Sequence, residues 1–151
     1  MDVKDITTLL VALYGAGLAT YVAFVQRKDK KPQVEARLSL GFLTHGPHMS
    51  DEHVLLTAAN IGERNVMLSS GALLLPDGSQ VITFADNATE RFPHQLEAGK
   101  SMTMWFELRP LVAQIRARGH SGRMKVRAKF CDQTSREFIS KPMELDLSQW
   151  A

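Results

Sequence analysis

From Ile6 to Val25 the chain carries no charged residue, and Arg27-Lys28-Asp29-Lys30-Lys31 follows at once. In helical geometry about 20 apolar residues extend about 30 Å, the thickness of a bilayer's hydrocarbon core, so residues 6–25 are expected to form one membrane-spanning helix. The preceding tail, residues 1–5, holds Asp2, Lys4 and Asp5. A cleaved signal peptide instead has a basic start, a shorter apolar region and a small-x-small cleavage site, so the helix is read as retained. Arg27, Lys28, Lys30 and Lys31 lie after the span and Lys4 alone before it. The positive-inside rule then predicts an amino terminus outside the cell inner membrane and a cytoplasmic carboxy-terminal domain, joined by a basic juxtamembrane linker over 26–33.

Within the span, Ala12, Ala16 and Thr20 recur every fourth residue, as do Gly15, Ala19 and Ala23. Such small-residue ridges allow close helix approach, which makes helix pairing, a homo-oligomer or a place as structural subunit of a membrane complex an alternative role.

The remainder reads as one β domain over 34–149. The whole chain is 44% hydrophobic and 23% charged with a net charge of +2, values that indicate neither disorder nor general nucleic-acid binding. Val34, Ala36, Leu38, Leu40 and Phe42 alternate with Glu35, Arg37, Ser39 and Gly41, the period of a strand with one buried face. Further strands are expected over 53–61, 66–75, 80–84 and 102–108, with Pro76-Asp77-Gly78-Ser79 turning the chain and a loop over 85–101. Pro110 is expected to open an amphipathic helix to about Arg118, buried through Leu111, Val112 and Ile115 and ended by Gly119. Met124, Val126, Ala128 and Phe130 alternate with Arg123, Lys125, Arg127 and Lys129, and Asp132-Gln133-Thr134-Ser135 turns into a last strand over 136–147, interrupted near Pro142. The expected fold is mainly β, a seven-stranded antiparallel immunoglobulin-like β-sandwich with one short helix between the fifth and sixth strands.

Leu56-Thr57-Ala58-Ala59-Asn60-Ile61-Gly62, Leu75-Pro76-Asp77-Gly78 and the closing stretch with Ser140-Lys141-Pro142 carry a resemblance. With these segments the chain resembles small, uncharacterised single-pass bacterial membrane proteins that join one span and a basic stop to an immunoglobulin-like domain. The resemblance implies no catalytic residues. The Cys-Trp-Cys core of antibody domains is absent, since Cys131 is the one cysteine.

Charge is the feature that points to function. From Arg109 to Cys131 there are seven Arg or Lys residues and no Asp or Glu. Arg123, Lys125, Arg127 and Lys129 share one strand face over about 20 Å, and Arg116, Arg118 and His120 are candidates to extend the stripe. An acidic protein partner or anionic lipid could use it, whereas pairing with Glu137 and Glu144 on the neighbouring strand would make it an ordinary solvated face. Trp105 shares a face with Thr103 and Glu107 and is a second binding candidate. A nucleic-acid partner is not expected, because no aromatic-interleaved motif accompanies the charge.

His45, His48 and His53, with Asp51 and Glu52, crowd the connector between the first two strands, and imidazole plus carboxylate can ligate zinc. Their spacing matches no defined site, so no cofactor is expected and a metal-using sensor or small enzyme is the lesser reading. Cys131 would need a base such as His120 or His94 to act as a nucleophile. Gly99-Lys100-Ser101 lacks the strand-loop-helix setting of a phosphate loop, and Asn87-Ala88-Thr89 matches a glycosylation acceptor that a cytoplasmic domain would not use. The leading expectation is a non-catalytic, membrane-anchored adaptor.

Overall fold

The computed structural model describes residues 3–29, 32–45, 48–82 and 87–150. Helix α1 (Val3–Asp29) contains the apolar run and extends it at both ends. Its segment Lys4–Arg27 is long and apolar enough to cross a membrane. Every side chain from Lys4 to Arg27 is exposed, and the hydroxyls of Thr8 and Thr20 donate back to the carbonyls of Lys4 and Ala16, each at 2.8 Å. Such internal bonding satisfies a polar side chain without water. Pro32 lies just beyond the helix and cannot continue it.

The rest is two antiparallel sheets. β1 (Val34–His45), β2 (His48–Asn60) and β6 (Ser101–Glu107) pair in the order β1-β2-β6. The second sheet is centred on β3 (Val66–Leu74) and β7 (Arg123–Asp132). β4 (Gln80–Val81) and β5 (His94–Leu96) share the outer edge of β3, while β8 (Glu137–Ile139) and β9 (Met143–Asp146) line the far edge of β7. Among the described residues nine strands therefore stand where seven are expected. The final strand splits at Ser140-Lys141-Pro142, as Pro142 requires, and β5 forms inside the stretch read as a loop. Ser140 bridges the split: its Oγ accepts the Ala128 N–H at 2.8 Å and its own N–H donates to the Ala128 carbonyl at 2.9 Å.

Both sheets feed one buried cluster. Leu56, Met102, Met104 and Phe106 come from the first sheet, and Leu68, Leu73, Val126 and Phe130 from the second. Gly71 of β3 lies where a side chain would run into the opposing sheet. A Cβ there would collide with Met104 Sδ of the opposing sheet and sit 2.9 Å from Phe130 Cε1, so only glycine lets the two meet. Helix α2 (Leu108–Ala117) adds Leu108, Leu111, Val112 and Ile115 to this core. It starts before Pro110, which occupies the first turn, where a missing N–H is harmless. Gly119 follows its end at φ 90°, as expected of a helix stop.

The first strand departs from its expected burial. Ala36 is buried, but Leu40 and Phe42 on the same face are 42% and 54% exposed, although Val54, opposite Leu40 on the central strand β2, is fully buried, so the exposure belongs to the edge strand.

Two buried polar residues pin the loops. Asn60 donates through Nδ2 to the carbonyls of Arg64 (2.7 Å) and Leu96 (2.9 Å), while its Oδ1 accepts the Gly62 N–H at 3.0 Å. Asn60→Ala strands these groups and is expected to cost about 2–3 kcal/mol in urea denaturation of the detergent-solubilised protein. A loss under about 0.5 kcal/mol, the scale of an ordinary surface substitution, would show that water replaces the amide.

Asp132 Oδ1 accepts three bonds, from Thr134 N at 2.8 Å, Thr134 Oγ1 at 2.7 Å and Arg136 N at 2.9 Å. Burial pushes this carboxyl upward, but the bonds from Thr134 and Arg136 outweigh it and hold it below the usual range. A carboxyl depressed in the folded state stabilises above its unfolded pKa of about 3.9 and loses that contribution as pH falls through the folded value. The stability gap between wild type and Asp132→Asn is therefore expected to shrink as unfolding is measured from neutral pH down through the acid range. A gap constant with pH would contradict this assignment.

Candidate functional site

Strand β7 sets out its four basic side chains by simple alternation: Met124, Val126, Ala128 and Phe130 are buried, and Arg123, Lys125, Arg127 and Lys129 face away from the core. The edge partners β8 and β9 place Glu137, Glu144 and Asp146 beside them. Arg123 Nε lies 3.2 Å from Asp146 Oδ2, and its Nη1 lies 3.7 Å from Glu144 Oε1. Lys129 Nζ lies 2.5 Å from Glu137 Oε1, which holds its ammonium pKa above the ordinary lysine value. Hydrogen bonds from Ser148, then the Arg123 guanidinium, hold Asp146 below the usual carboxylate range. Both ends of the stripe are thus paired.

The middle is not. Lys125 and Arg127 are exposed and make no ion pair within 4.0 Å among the described residues, although Glu144 stands opposite Lys125 in the β7–β9 register. Together they border a cleft of about 310 Å³ whose other walls are Leu74, Leu75, Pro76, Gly78 and Pro142. Two cations beside an apolar floor can hold a carboxylate together with a hydrophobic neighbour.

Arg116, Arg118 and His120 do not extend the stripe. They stand on and after α2, where Arg116 Nη2 donates to the Leu147 carbonyl, Arg118 Nη1 to the Gln80 carbonyl at 3.2 Å, and His120 Nε2 lies 3.1 Å from Asp77 Oδ2. These contacts tie the helix end and the residues after it to neighbouring segments. Trp105 is half-buried on the outer face of the other sheet, opposite Leu55, so it and the β7 stripe look in opposite directions. One partner surface cannot include both. The edge of β6 beside Trp105 is taken by 87–89, since Trp105 N–H donates to the Asn87 carbonyl and Thr89 N–H to the Thr103 carbonyl.

The histidine connector is strand at His45 and from His48 onward, while residues 46–47 lie outside the described residues. β1 continues to His45 and β2 begins at His48, directly paired with it, so His53 lies inside a strand with its side chain 5% exposed. The Ser50-Asp51-Glu52 polarity that reads as a turn is accommodated by the long hairpin, where Ser50 Oγ accepts the Leu43 N–H at 2.8 Å. His53 Nδ1 sits 2.6 Å from the Asp51 carbonyl, which fixes the proton on that nitrogen. The side chains of His45 and His48 lie outside the described residues. Among the described residues no group of three or more His, Cys, Asp or Glu is placed to hold a metal ion.

Cys131 is half-buried at the end of β7, and the two candidate bases are held elsewhere, His120 at Asp77 and His94 Nδ1 at 3.9 Å from Glu90 Oε2. Ala12, Gly15, Ala16, Ala19 and Ala23 are all exposed along α1.

No family model and no curated protein matches the chain. Among solved structures it is similar to the X-ray structure of the Northeast Structural Genomics Consortium target SoR45, at 10% identity and a TM-score of 0.33 over 75% of this chain and 85% of that one. A likeness that distant carries no argument about fold or function.

Proposed function

We propose that this protein is a non-catalytic binding module: α1 anchors it as a single span in a bacterial inner membrane, and its β domain, an immunoglobulin-like sandwich, stands in the cytoplasm and recruits a protein partner. Two antiparallel sheets closing on one core support the sandwich reading. The basic residues that follow the span support the orientation. The observation that carries the function is the pair Lys125 and Arg127, without an ion-pair partner among the described residues on a face where Arg123 and Lys129 are each satisfied. These two of the four basic side chains stand open beside an apolar cleft, where a partner's carboxylate can reach both. The partner therefore presents a carboxylate next to an apolar side chain.

Affinity capture by the full-length protein from membranes in mild detergent tests the reading. A partner retained by wild type and by Trp105→Ala, but lost with Lys125→Glu and Arg127→Glu combined, is the expected pattern. Charge-dependent binding to anionic vesicles with no captured protein would assign the pair to lipid instead.

A further inference from the structure

The free edge of β1 offers a second, backbone-based recognition element. Ile61 N–H donates to the Gln33 carbonyl and Asn60 N–H to the Lys100 carbonyl, both at 2.9 Å, which fixes the phase of the β1–β2 ladder. In an antiparallel pair, residues alternate between bonding their partner and turning their polar groups away. With Gln33 bonded toward β2, Val34, Ala36, Leu38 and Leu40 must turn N–H and C=O to the outside, where no strand pairs with them among the described residues.

Exposed edges are ordinarily blunted by proline, bulges or charge. The neighbouring β8–β9 edge is, through the break at Ser140-Lys141-Pro142. β1 keeps regular register from Val34 to Phe42, with its shift placed only between Phe42 and Thr44. Beside this edge runs a groove of about 840 Å³, lined by Val34, Ala36, Leu38, Ile139, Lys141 and Met143 among others. An added strand would lay alternate side chains into that groove while its backbone completes the ladder.

Charge selects the occupant. Glu35 is bonded twice to Arg37, through Nε and Nη2 at 3.0 Å each, and with Lys141, which also acts on Glu35, the charged lining of the groove carries one net positive charge. Pro142 lines both this groove and the cleft of Lys125 and Arg127, so the two surfaces are continuous. We infer that β1 accepts an extended acidic segment of a partner protein as an added strand. The acidic preference rests on the basic cleft proposed above; strand addition rests on the β1 edge alone.

The test uses full-length protein in detergent and labelled synthetic peptides of about eight alternating residues, one Val-Glu and one Val-Lys. Two versions of the first are N-methylated on alternate residues. The Val-Glu peptide is expected to bind at least about tenfold more tightly than the Val-Lys peptide, and N-methylation of one alternate set is expected to abolish binding while the other leaves it intact. Bound peptide should slow amide exchange at Val34, Ala36 and Leu38. Leu40→Pro, which removes an outward N–H and no β2 bond, should weaken binding with exchange across β2 unchanged. Failure of every peptide to bind, or equal loss with both methylation sets, would overturn strand addition. Equal binding of Val-Glu and Val-Lys with methylation discrimination retained would overturn the acidic preference alone. A wild-type dimer converted to monomer by Leu40→Pro would make a second copy the occupant and overturn the partner assignment.

Discussion

Phe130→Ala is expected to destabilise the β domain by about 3–5 kcal/mol, the largest loss from any single truncation in the core. Phe130 is fully buried and heads the fully buried side chains by volume. Its ring meets Gly71 on the adjacent strand, where Met104 arrives from the opposing sheet, so its removal opens a hole at the junction of both layers. A domain of this size has about 5–15 kcal/mol in total, so the variant should unfold well below the wild-type temperature. The same geometry gives a coupling test. Gly71→Ala alone pushes a methyl group against Met104 and Phe130, whereas in the Phe130→Ala background that methyl enters vacated space and should cost less. Additive losses in urea denaturation would contradict the packing described for this junction.

Much of that core is legible in the residues. Strict alternation marks β1, β6 and β7, and helical spacing marks the α2 face, because a two-residue or 3.6-residue period survives whatever surrounds it. Pro142 foretells the break between β8 and β9. Polar strand beginnings are harder to read. The first turn of β2, with Ser50, Asp51 and Glu52, carries loop composition, and only its pairing with Phe42 and Thr44 across the hairpin makes it a strand. β5 and the 87–89 bridge likewise lie among Asn, Thr and Pro and owe their extension to edges they complete. One signal was available in three turns. Asp77-Gly78-Ser79, Asp132-Gln133-Thr134 and Asp146-Leu147-Ser148 each place an aspartate two residues before a hydroxyl, and in each the carboxylate accepts both the N–H and the hydroxyl of that residue.

The site was legible in half. Alternation on β7 and the partners Glu137 and Glu144 follow from the hairpin, but Asp146 depends on β9 running on past Pro142 to the end of β7. That Arg116 and Arg118 turn toward backbone carbonyls is set by the helix end and by η1 (Leu147–Trp150), and no spacing rule announces it. Trp105 alternates as read, yet only the assignment of β6 and β7 to different sheets shows that it faces away from the stripe.

Lys125 and Arg127 are expected to carry the contact with the partner. Hydrogen bonds to charged groups contribute about 1.5–3 kcal/mol each, so losing both and adding repulsion should weaken partner binding by about 100-fold or more. Arg123→Glu is the informative control for the stripe as a whole, since Arg123 already has Asp146 and Glu144. The decisive measurement is the affinity of the captured partner for wild type, for Arg123→Glu, and for Lys125→Glu with Arg127→Glu, each first shown to be folded. A modest change is expected for the first variant and loss of binding for the second. Equal affinity of all three proteins would contradict this expectation.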